Sequence, residues 1–116
     1  MDIDTIQKRL SEFAKDRNWD QFHSPKNLSM ALAAEAAELL EIFQWLTEEQ
    51  SRKIINNEKE MSLIKEEIAD VAIYLVRLAD KLGVDIEKAV LDKIAMNEKK
   101  YPVKLAKNNA TKYNKR

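Results

Sequence analysis

Five acidic residues occupy positions where acids are costly. The stretch from Leu28 to Leu46, LSMALAAEAAELLEIFQWL, is apolar or small nearly throughout, yet it carries Glu35, Glu38 and Glu41 at three-residue intervals. On a helix, residues i and i+3 lie near one another on one side. A second stretch, Glu66 to Leu82, EEIADVAIYLVRLADKL, repeats the spacing with Glu67 and Asp70. A carboxylate in apolar surroundings must be protonated, paired or bound to a cation. No Lys or Arg lies between Leu28 and Leu46 to serve as a local partner, so a hard metal ion is the leading candidate. Two facing helices supplying E-x-x-E (Glu35, Glu38) and E-x-x-D (Glu67, Asp70) make an oxygen cluster suited to Mg²⁺ or Mn²⁺. The chemistry that uses such a cluster is phosphoryl or nucleotidyl transfer, in which metal charge offsets phosphate charge and positions water. A merely solvated acidic face is the plain alternative, and the apolar runs around these acids argue against it.

The elements that must hold those acids can be read in order. One Gly and two Pro among 116 residues, with Ala, Leu, Glu and Lys abundant, specify an all-α fold. Met1 to Lys15 predicts an amphipathic helix with Ile3, Ile6, Leu10 and Phe13 on one stripe. The segment RNWDQFHSPKN interrupts the pattern, and Ser24-Pro25 reads as an N-cap and first helical position opening the long acidic helix. That helix, apolar all round, is expected to be buried on every side. Thr47-Glu48-Glu49-Gln50 is a capping box, predicting a short helix from Glu48 to Ile55 stopped by Asn56-Asn57. A third major helix is predicted from Glu58 to Leu82, ended by Gly83, and a last one from Asp85 to about Lys99, ended by Pro102. These elements make a bundle of four to five helices forming one domain over residues 1–100, with a basic tail at 101–116. Its apolar surface exceeds what one small monomer hides, so self-association with two-fold symmetry is expected.

Composition removes several classes of function. With no cysteine there is no disulfide, no thiolate zinc site and no Cys nucleophile. A single histidine, His23, rules out a di-iron bundle built from two E-x-x-H motifs. No signal-peptide pattern and no charge-free apolar run near twenty residues is present, which leads to the expectation of a soluble cytoplasmic protein with no membrane partner. All 20 acidic residues precede Lys99, whereas seven of the 20 basic ones lie from Lys99 onward. An acidic body suits metal binding and does not suit a nucleic-acid binder. The basic tail carries Tyr101, Leu105 and Tyr113, which favours an arm packed on a neighbouring subunit over a purely solvated end.

Four segments in order, WDQFHSPKNL, EAAELLEIFQW, EEIADVAIYLVRLA and KIAMNEKKYP, carry a resemblance over nearly the whole chain. The chain resembles the MazG-like all-α nucleotide pyrophosphohydrolases, most of all their dCTP pyrophosphatase branch. The resemblance implies Mg²⁺-dependent hydrolysis of a (deoxy)nucleoside triphosphate, dCTP or a modified dNTP, to monophosphate and pyrophosphate, as house-cleaning of the nucleotide pool. It implies Glu35, Glu38, Glu67 and Asp70 as metal ligands, with Glu41 or Glu38 assisting the attacking water. Lys93 and Asn97 match residues that contact phosphates and sugar, and Trp19, Trp45 and Tyr74 match residues that enclose the base, with His23 beside them. A homo-oligomer, a dimer or a tetramer made of two dimers, is implied as well. Two other readings stay open: the same enzyme class acting on dUTP or a broad set of nucleotides, and a non-catalytic helical oligomer whose acids are paired by Lys or Arg of another helix.

Overall fold

Each of the first five α-helices begins at a side chain that satisfies one of its first free N–H groups. The computed structural model describes residues 1–106 and holds no β-strand among them. Asp2 caps α1 (Ile3–Asp16) by accepting from Thr5 N at 3.1 Å and from Thr5 Oγ1 at 2.7 Å. The chain then reverses through Asn18, whose φ of 55° is a left-handed value that Asn tolerates, into a single 3₁₀ turn at Asp20–Phe22. Ser24 Oγ accepts from Asn27 N at 3.1 Å and Pro25 follows it, opening α2 (Pro25–Phe43) as its sequence predicts. The capping box at Thr47 and Gln50 is closed in both directions, at 3.1 and 2.9 Å, and starts α3 (Glu48–Lys53), which tightens into a 3₁₀ turn at Ile54–Asn56. Asn57 then accepts from Glu60 N at 3.0 Å, so it begins α4 (Glu58–Leu82) rather than merely ending α3. Asp85 caps α5 (Ile86–Lys100), and a short α6 (Val103–Ala106) follows Pro102. The tail from residue 107 onward, including Tyr113, lies outside the described residues.

The chain divides into two units, the first running Met1–Gly83 and the second beginning at Val84. In the first, α2 lies along α4, and α1 packs on α4 as well. Their shared core holds Ala14, Leu28, Ile64, Val76 and Ala79. Leu28 and Val76 are the largest fully buried side chains, each contributing about 2 kcal/mol by leaving water. In the second unit, α5 buries none of its residues and carries a Lys88–Asp92 ion pair of 2.8 Å one turn apart. No described helix is long and apolar enough to cross a membrane.

Complete burial of α2 does not hold within one chain. Leu28 is its one fully buried residue, while Met30 and Leu40 are more than half exposed. The main long partner of the helix is α4, which covers one side of it. α2 also ends three residues earlier than its apolar run. Thr47 must be extended (ψ 164°) to cap α3, so the helix stops before it and leaves Trp45 beyond its end.

Gly83 closes α4 in the left-handed region at φ 67°, and a Cβ there would meet nothing within 4 Å. The backbone alone therefore decides the effect of Gly83→Ala. We expect a loss of about 1 kcal/mol in denaturant unfolding, the left-handed penalty of an L-residue. An unchanged midpoint would show that the helix end relaxes without strain.

Candidate metal centre

Antiparallel packing of α2 on α4 brings the two carboxylate motifs together. Single oxygens of Glu35, Glu38 and Glu67 all lie within 4.8 Å of one another. Glu35 and Glu67 are half-buried and Glu38 is exposed. Glu35 Oε2 and Glu67 Oε2 are themselves buried and have no hydrogen-bond partner. Asp70, half-buried one turn after Glu67, stands outside the tight trio, but its charge acts on both Glu35 and Glu67. None of the ion pairs among the described residues uses Glu35, Glu38, Glu67 or Asp70.

The electrostatics follow from that crowding. Burial, then the hydrogen bond and charge of Glu38, then Glu67 and Asp70, push the Glu35 carboxyl up to about 7. Glu67 is raised as well, first by burial and then by the charges of Glu38 and Asp70, against a hydrogen bond with Glu35 that pulls the other way. Without a cation the cluster therefore keeps a proton that ordinary glutamates would lose. Partnerless buried oxygens and a mutually repelling all-oxygen donor set are what a hard divalent ion would relieve, so the residues present fit Mg²⁺ or Mn²⁺.

A pH dependence follows. A folded-state carboxyl raised above its unfolded value of 4.5 stabilises the metal-free protein fully below that value, and the contribution is lost as pH rises through about 7. Metal binding must displace the same proton. Any rise in melting temperature caused by a divalent ion at this cluster should thus be small at low pH and grow as pH passes the raised Glu35 value. A shift of equal size at all pH values would mean that the ion binds elsewhere.

A profile described as the MazG-like family matches residues 30–115, a span that includes both carboxylate motifs. The chain belongs to the MazG-like family. Its relatives include dCTP pyrophosphatase 1 of Bos taurus, 41% identical over 111 residues, covering 96% of this chain and 66% of the bovine protein. The Homo sapiens protein of the same name is also 41% identical, with 65% of its length covered. This chain thus spans just under two thirds of the mammalian relatives it matches. A crystal structure of a pyrophosphatase from Archaeoglobus fulgidus superposes with a TM-score of 0.77 at 39% identity, covering 88% of this chain and 94% of that one.

Of the other residues that the MazG-like resemblance singles out, Glu41 is exposed one turn beyond Glu38, and Tyr74 is half-buried on α4 one turn beyond Asp70. Trp19 is 46% exposed, with its ring edge-on to Phe13 at 5.7 Å, whereas Trp45 is 87% exposed. His23 is half-buried, its Nδ1 accepting from Arg77 Nε at 3.2 Å. Lys93 and Asn97 are both exposed, one turn apart on α5 in the second unit. Arg77 on α4 is not among the residues singled out by spacing or resemblance. It is the one buried charged residue among those described, and it pairs with Asp20 at 2.6 Å. The available signal is an arginine in the middle of the apolar run YLVRLA.

Proposed function

We propose that this MazG-like chain is a Mg²⁺-dependent nucleoside triphosphate pyrophosphohydrolase, acting on dCTP or a modified dNTP and removing it from the nucleotide pool. The observation that carries the reading is the pair of buried, partnerless oxygens on Glu35 and Glu67, one from each helix of a three-carboxylate cluster. The names of the mammalian relatives and of the archaeal pyrophosphatase support the same reaction class. A non-catalytic oligomer would instead need basic partners for these acids from a neighbouring subunit, and would show neither metal-dependent stabilisation nor nucleotide turnover.

Glu35, Glu38, Glu67 and Asp70 hold the cation in this proposal. When bound, Mg²⁺ offsets the charge of the triphosphate and makes the α-phosphorus more electrophilic. Glu41, exposed to solvent and one turn from the cluster, accepts the proton of the attacking water, with Glu38 as the other candidate. The water oxygen bonds to the α-phosphorus while the bond to the α,β-bridging oxygen breaks, and pyrophosphate leaves. Trp19, Trp45 and Tyr74 offer flat faces to the base, with His23 near Trp19 in the sequence. Lys93 offsets phosphate charge and Asn97 offers hydrogen bonds to the sugar.

The test is product analysis on the canonical NTPs and dNTPs plus 5-methyl-dCTP, with Mg²⁺ present or chelated. Monophosphate and pyrophosphate, both lost on chelation, are the expected products, with dCTP or its analogue among the best substrates. Release of single phosphate would place the attack at the γ position and overturn the mechanism. The working form in this proposal is a homo-oligomer, a dimer or a dimer of dimers, since Met30, Leu40, Trp45, Leu75 and Leu82 are all exposed apolar residues. Sedimentation velocity should show no monomer at micromolar concentration.

A further inference from the structure

Two cations converge on Asp20, and one of them is buried. Arg77 Nη2 donates to Asp20 Oδ1 at 2.6 Å, its Nε donates to His23 Nδ1 at 3.2 Å, and its Nη1 lies 3.5 Å from Asp80 Oδ2. Lys81 Nζ meets the same Asp20 oxygen at 2.6 Å. Arg77 is only 4% exposed. A guanidinium so desolvated is held by what it grips, and here it grips both ends of the turn that follows Trp19. Asp70, Tyr74 and Arg77 stand at i, i+4 and i+7 on α4, so they share one side of the helix, and Arg77 is about 10 Å further along it than Asp70. That is the length scale of a nucleoside triphosphate laid along the helix. The backbone N–H of Trp19 donates to Ala14 O at 2.8 Å, while nearly half of the residue's surface stays open.

We infer that Arg77 is a positioning residue: its guanidinium pins the Trp19–His23 turn to α4 and holds His23 as the neutral Nε2–H tautomer, and so sets the orientation in which Trp19 meets a nucleotide base. An Nδ1 that accepts a hydrogen bond carries no proton, so the one proton of a neutral ring is on Nε2. The groups facing the ring agree. Burial and the charges of Arg77 and Lys81 lower the His23 pKa, with Asp20 alone pulling it upward. The orienting role rests on the pyrophosphohydrolase reading, while the tautomer stands independently of it.

One histidine in the chain makes the test clean, because ¹⁵N-labelled protein gives one imidazole pattern. Expected at pH 7 is a protonated Nε2 and a bare Nδ1, giving way to mixed tautomers in Arg77→Lys. Asp20→Asn and Arg77→Lys should each raise KM for the preferred nucleotide about ten-fold with kcat within about two-fold. The Mg²⁺-induced rise in melting temperature should stay as in the parent protein. A protonated Nδ1 at pH 7 would overturn the tautomer. Unchanged KM in the folded Asp20→Asn protein, or a loss confined to kcat, would overturn the orienting role. Should the parent protein turn over and bind no nucleotide, the function and the orienting role fall together, and the ¹⁵N pattern still decides the tautomer.

Discussion

Glu67→Gln should lower kcat by at least about a thousand-fold, the scale of removing a charge-stabilising group from a site of developing negative charge, yet leave the metal-free protein as stable as before or more so. The two halves of this expectation have one cause. In the metal-free state Glu67 is one of three carboxylates whose oxygens crowd within 4.8 Å, and it leaves one oxygen buried without a partner. An amide of the same shape removes one of the repelling charges and supplies a donor to Glu35. With metal present the same amide is a poor ligand, so the Mg²⁺-induced rise in melting temperature should vanish with the activity. Glu66→Gln is the control, since Glu66 is exposed and a residue away turns about 100° around the helix. It should leave turnover and metal response near those of the parent. Activity surviving in a folded Glu67→Gln protein would remove this cluster from the mechanism.

Local interactions explain why so much of the frame was legible beforehand. Ser24, Thr47 and Asp85 act on N–H groups three residues away, and Gly83 acts on its own φ, so each can be read without knowing the fold. The acids were legible for a related reason: their three-residue spacing puts them on one side of a helix whatever that helix packs against. What spacing does not give is the rotation of one helix against another. That rotation draws Glu67 into the tight trio with Glu35 and Glu38, and leaves Asp70 acting through its charge. The burial expected of α2 does not hold within one chain for the same kind of reason, because apolarity on all sides says what a helix could bury and only its neighbours decide what it does bury. Arg77 was the least legible residue of all. Its partner Asp20 is 57 positions away, and no local rule links them.

Arg77→Ala should be strongly destabilising, costing about 3 kcal/mol, the scale of truncating a large buried side chain. For a chain of this size that corresponds to a melting temperature lower by roughly 10–20 °C. Part of the loss is the void left by a side chain that is only 5% exposed, and part is the loss of the guanidinium's bonds to Asp20 and His23, although Asp20 keeps its bond to Lys81. Acid separates the two parts. The hydrogen bond to Lys81, with the charges of Lys81 and Arg77, holds the Asp20 carboxyl below its ordinary 3.8. A carboxyl depressed in the folded state stabilises the protein above its unfolded value, and that contribution fades as pH falls through the lower folded value. The gap between parent and Arg77→Ala should therefore narrow as the pH is taken below the ordinary aspartate range. Arg77→Met, which keeps most of the volume and removes the charge, should recover the packing part alone and retain the same acid trend. Equal stability of Arg77→Ala and the parent at neutral pH would mean that the turn carrying Trp19 is held by its backbone bonds without the guanidinium.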